Sequence, residues 1–132
     1  MEKKTPYCFG KTLEIPYAEA VEKVRAALAE QGFGILTEID VRAKLKEKLD
    51  IDFHPYIILG ACNPRMAHKA LSVEINLGTL LPCNVVVYTD AEGRTTVMAM
   101  DPAGVLDVVA NPAMSTIAQE VRGQLVAALE SL

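Results

Sequence analysis

Two Cys-Asn dipeptides carry most of the chemistry in the sequence. Cys62-Asn63-Pro64 sets a thiol beside the residues that begin a helix, because Asn is a preferred N-cap and Pro a preferred first helical residue. Unpaired N–H groups and the helix dipole at such a start favour an anion, and that lowers a thiol pKa. Arg65 and His68 follow within a turn and a half, where a positive charge pushes the same way. Cys83-Asn84, preceded by Leu81-Pro82, repeats the dipeptide at the entrance to the next apolar run. If the two runs are antiparallel neighbours, the end of one lies beside the start of the other and the thiols approach. The candidate thiol or ligand site is therefore Cys62, Asn63, Pro64, His68, Cys83 and Asn84. Its chemistry is that of a thiol-based protein, using Cys62 with Cys83 for redox, sulfur-carrier or metal work. Burial opposes this reading, since desolvation disfavours the thiolate and Tyr56 to Ala61 is apolar. Cys62 is then a small core residue, and Asn63-Pro64 is a cap and a helix start. Timed alkylation separates the two: a thiol site makes Cys62 faster than Cys8, with Cys83 close behind.

Other chemistries find less support. Cys62, Cys83, His54 and His68 show no Cys-x-x-Cys or His-x-x-x-His spacing, so no metal site is expected. His68 is the better of two histidines as a base for a cysteine nucleophile, but on a helix six residues downstream it is expected at the solvated surface. No Gly-x-Gly-x-x-Gly or phosphate-binding loop is present. Asp101 lies at a strand end, where Pro102 marks a turn.

The elements that hold these residues follow from periodicity. Tyr7, Phe9, Leu13 and Ile15 alternate as a strand, ended by Pro16. Tyr17, Val21, Val24 and Leu28 form the apolar stripe of a helix that Gly32 closes. Phe33 to Ile39 reads as a second strand, although Leu36 breaks its polar side, and Asp40 is placed to cap a short basic helix over Val41 to Leu49. Tyr56 to Cys62 is apolar on both faces, as in a central strand. A helix runs from Pro64 to about Leu71. Leu80 to Tyr88 and Arg94 to Met100 form a hairpin through Asp90-Ala91-Glu92-Gly93. Ala103 to Ala110 is a packed connection or short helix, and Ile117, Val121, Leu125, Ala128 and Leu132 mark a final helix. The order β-α-β-β-β-β-α with short helical insertions predicts an α+β domain, residues 1–132. Its sheet is mainly antiparallel and curved, with two long helices on one face. A partly parallel sheet is the alternative, with the short helices as crossovers.

Composition narrows the partners. The 132 residues are 51% hydrophobic and contain no Trp, so stacking platforms for bases are scarce. A net charge of −4 is the wrong sign for a phosphate backbone, and no nucleic-acid partner is expected. The longest apolar run, Tyr56 to Cys62, is too short for a membrane span. With no apolar segment behind Lys3 and Lys4, and three cysteines, an odd count, the expected compartment is the reducing cytoplasm.

Three blocks in order carry a resemblance: Gln31-Gly32-Phe33-Gly34-Ile35-Leu36-Thr37-Glu38-Ile39-Asp40, then Tyr56 to Pro64 with Ala67, Ala70 and Leu71, then Leu80 to Val87. Together they resemble the bacterial and archaeal family known as domain of unknown function 302, over about residues 7 to 130. The resemblance implies a TATA-binding-protein-like or helix-grip arrangement. The family's Cys-Asn-Pro and Leu-Pro-Cys positions map to Cys62, Asn63, Pro64, Leu81, Pro82 and Cys83. It implies little about function and leaves any cofactor unknown. The expected protein is a non-catalytic homodimeric binding module. A curved sheet gripping a helix leaves a hollow for a small apolar ligand, and the edge of an open sheet is a liability that pairing of two copies covers.

Overall fold

Phe9, Leu13, Leu59, Ala61, Val85, Val87, Val97 and Ala99 stand at even spacings along their apolar runs, and all eight point into one core. The computed structural model describes residues 1–132. Its strands are β1 (Lys3–Lys4), β2 (Cys8–Leu13), β3 (Gly34–Asp40), β4 (Tyr56–Cys62), β5 (Cys83–Thr89) and β6 (Thr95–Met100). They form one sheet in the order β1-β2-β6-β5-β4-β3. Every pairing is antiparallel, which removes the crossover alternative. The helices are α1 (Tyr17–Glu30), α2 (Val41–Leu49), α3 (Pro64–Val73), α4 (Pro102–Val105) and α5 (Pro112–Glu130). None is long and apolar enough to cross a membrane.

The two long helices cover one face of the sheet. Val21, Val24 and Leu28 of α1 and Val121, Leu125 and Ala128 of α5 share the core with the inward strand residues. At the end of α1 the chain reverses through Gly32, whose φ of 88° is accessible to glycine at no steric cost. The Gly32 N–H donates to the Ala29 carbonyl and the Phe33 N–H to the Leu28 carbonyl, both at 3.0 Å. This is the double hydrogen bond of a Schellman cap, and it delivers buried Phe33 to the core.

The sequence expectations need two corrections, and two further readings are made more specific. A two-residue strand, β1, precedes the expected five, because Lys3 and Lys4 pair with Gly10 and Phe9. The strand after α3 begins at Cys83 rather than Leu80, since Ile75–Leu80 turns as a 3-10 helix. Ala103 to Ala110 resolves into the end of α4 and a 3-10 turn over Leu106–Val109. Leu36, the residue that broke the alternation of β3, is a bulge: the register steps from Ile35 opposite Ala61 to Thr37 opposite Gly60. The short basic helix α2 lies on the surface and buries none of its residues. Ala70, Leu77, Leu106, Met114 and Ala118 form a second, smaller core that no single run of the sequence announces.

Candidate functional site: an apolar hollow between two cores

Where β3 starts, β4 ends and β5 starts, the main core stops short of the small one. Between them lies a hollow of about 340 Å³ lined by 18 residues, 14 of them hydrophobic. β4 and β5 contribute Ala61, Cys62 and Cys83, α3 contributes Met66, Ala67 and Ala70, and α5 contributes Ile117 and Val121. Leu77 of the 3-10 turn and Pro102 and Leu106 close the far wall. Leu36 lines the hollow as well; the bulge leaves this side chain 65% exposed.

Of the expected site residues, three line the hollow. Ala61 pairs with Cys83, so Cys62 is one residue past the start of β5, and both thiols line the same space. Asn63 joins them as N-cap of α3: its Oδ1 accepts from the Met66 N–H at 3.4 Å and its Nδ2 donates to Gln124 Oε1 of α5 at 3.1 Å. The other three lie elsewhere. Pro64 sits in the first turn of α3 but outside the lining, and His68 is exposed on the same helix. Asn84 is exposed on the opposite face of the sheet. His54 is exposed and rests its Nδ1 on the Thr89 carbonyl oxygen, within a cluster of Phe53, Tyr56 and Tyr88. Asp101, expected in a turn, is the buried cap of α4.

For Cys62 the electrostatics favour the burial reading over the thiolate one. Burial pushes its thiol above the ordinary value. The helix start does not offset this, because Asn63 takes the Met66 N–H, Pro64 has no N–H, and Cys62 stands one residue outside the cap. Cys83 is pushed up to about 11, by burial first and by the neighbouring Cys62 second.

The sequence profile of the family described as "Domain of unknown function DUF302" matches residues 9–132. The chain belongs to this family. A crystal structure described as that of an uncharacterised conserved DUF302 protein from Bacillus stearothermophilus is similar at 31% identity, with a TM-score of 0.86. The match covers 93% of this chain and 95% of that one. No curated protein matches.

Sequence reasoning reached the DUF302 thiols and Asn63 but missed the walls from the small core, since Leu77, Pro102 and Leu106 lie in irregular stretches without a readable period. The raised thiols make a prediction for the folded DUF302 chain. Burial, and Cys62 second, push the Cys83 thiol up to about 11, so it stays protonated at neutral pH, and the residue is 7% exposed. Timed alkylation read peptide by peptide should therefore modify Cys8 and Cys62, both partly exposed, before Cys83. Cys83 should react only on unfolding. Modification of Cys83 at the pace of Cys8 in the native protein would show that the hollow admits reagent and that burial does not protect this sulfur.

Proposed function

We propose that this DUF302 chain is a non-catalytic binding module that takes a small apolar molecule into the hollow between its two cores. The observation that carries the reading is the hollow itself, with 14 hydrophobic residues in a lining of 18 and about 340 Å³ of space, at the lower end of the range of small-molecule sites. No Asp, Glu, His, Lys or Arg lines it, so no charged group would be desolvated by an apolar guest. Asn63 is engaged at both ends of its carboxamide, and burial keeps the two thiols protonated. The ligand fitting this chemistry is a compact hydrocarbon-like group with at most one weak polar end.

Naphthalene and 1-octanol are suitable probes. A ligand at a hundredfold excess over its Kd stabilises the folded state by about 2.7 kcal/mol, which raises Tm by roughly 5–10 °C in a chain of this size. The expected result is a saturable rise of that kind in the wild-type chain and no response in Ala67→Phe, whose ring occupies the hollow. A wild-type chain without a saturable rise, or an equal rise in the variant, refutes the reading.

A further inference from the structure

The hollow has two unlike halves. The lining drawn from the small core is aliphatic: Ala70, Leu77 and Leu106. The lining drawn from the main core is not. It includes the ring of Phe33 and the sulfurs of Met66 and Cys83, all three residues buried. Cys62 brings a third sulfur, from the end of β4 beside the start of β5. Two of the three cysteines of the chain thus line one space together with a thioether and an aromatic ring.

These groups lack the partners that such groups find elsewhere in the molecule. Phe33 packs against no other ring, since the aromatic contacts of the chain lie among Phe53, His54, Tyr56 and Tyr88. Cys8 Sγ lies 3.1 Å from Thr5 Oγ1, a hydrogen bond in which either atom donates, whereas Cys62 and Cys83 have no hydrogen-bond partner. We propose that the hollow, taken as the apolar-ligand site of the preceding section, selects a neutral aromatic ring over a saturated ring of the same size.

The chemistry of the lining makes that choice. An aliphatic wall meets a saturated guest and an aromatic one alike, through dispersion and the loss of water. A polarisable sulfur does not, because it gains a further favourable contact at the edge of an aromatic ring. The face of such a ring also accepts from a weak donor such as a protonated thiol, which a saturated ring cannot do. Phe33 adds the offset or edge-to-face pairing open to two rings. The unbranched side chain of Met66 adapts its sulfur to the position of the guest. The ring is a neutral one, because no charged side chain in the lining would balance a charge carried in.

The test uses 2-phenylethanol and 2-cyclohexylethanol, which differ only in the saturation of the ring, titrated calorimetrically into the full chain and its variants. The two free alcohols differ in hydration, but that difference is the same for every variant, so the deciding quantity is the change in the ratio of their Kd values. Met66→Leu removes a sulfur at nearly constant volume and should reduce the preference for the phenyl ring about threefold. Cys83→Ala, which removes a different sulfur on a different element, should reduce it in the same direction, and the double variant should reduce it about tenfold. Far-UV circular dichroism like that of the wild type shows that each variant is folded. Saturable binding of both alcohols, with a ratio that neither Met66→Leu nor Cys83→Ala moves, overturns the aromatic preference and leaves the hollow as a general apolar site. Saturable binding of neither alcohol nor naphthalene overturns the site itself and the preference with it.

Discussion

Gly10→Ala should cost about 4 kcal/mol or more of folding stability, or abolish folding outright, although it adds a single methyl group. Gly10 pairs with Met98 at the centre of the β2–β6 ladder, and the chain there runs so close that a Cβ would collide with the Val97 carbonyl oxygen. It would also sit 2.8 Å from Met98 Cα and 2.7 Å from Met98 Sδ. The methionine sulfur can swing away. The carbonyl and Cα cannot, because they belong to β6, which is hydrogen-bonded to β5 on its other side. Relief therefore requires β2 to leave the sheet, taking with it Phe9, which is fully buried, and the short strand β1. The same substitution at Gly123 should act in the opposite direction. Nothing lies within 4 Å of a Cβ built there, the site is exposed in the middle of α5, and alanine is favoured over glycine in a helix by about 1 kcal/mol. Urea unfolding of the two variants decides it. A loss below about 1 kcal/mol for Gly10→Ala would mean that the two strands separate more easily than their register implies.

That contrast bears on how much of the molecule the sequence discloses. Periodicity at Val21, Val24 and Leu28, and at Val121, Leu125 and Ala128, marks the faces of α1 and α5, because a long amphipathic helix repeats its signal several times. Leu36 is more instructive: its violation of strand alternation was visible in the sequence, but only the strand register shows it to be a bulge that turns the side chain to the hollow. Ile75–Leu80 and Leu106–Val109 left no such trace. A 3-10 turn of four to six residues repeats nothing, and its side chains find their core only after distant segments have packed. The site shows the same division. Cys62, Asn63 and Cys83 were legible as local motifs. Their electrostatics were half legible: the helix start and the apolar run Tyr56 to Ala61 both show in the sequence, but which of the two outweighs the other is a property of the whole fold. Gly10 belongs to the illegible part as well: a glycine in a strand pattern reads as a weakness, and only the approach of Val97 shows it to be required.

Asp101→Ala should cost about 3 kcal/mol and loosen one wall of the hollow. Asp101 is 7% exposed and its Oδ1 holds two groups: the Ala103 N–H at 3.0 Å, capping α4, and Arg122 Nε of α5 at 3.2 Å. The guanidinium in turn lies over the Phe9 ring, 5.2 Å from its centroid. Truncation removes the cap, a loss of about 1 kcal/mol. It also strands a partly buried arginine beside an aromatic ring. A fully buried orphan charge costs about 3–5 kcal/mol, and the fraction of Arg122 that reaches water reduces this to roughly 2. Asp101→Asn separates the two contributions, because an amide oxygen still accepts from Ala103 while the charge is gone, so it should cost about two-thirds as much. The double change Asp101→Ala, Arg122→Met should recover part of the single loss, since no unpaired charge remains. Pro102 and Leu106 follow Asp101 directly and line the hollow, so Asp101→Ala should also weaken the naphthalene response of the folded chain, whereas Asp101→Asn should preserve it. If Asp101→Ala and the double variant unfold at the same urea concentration, the arginine was never held by the carboxylate, and the cap alone accounts for the cost.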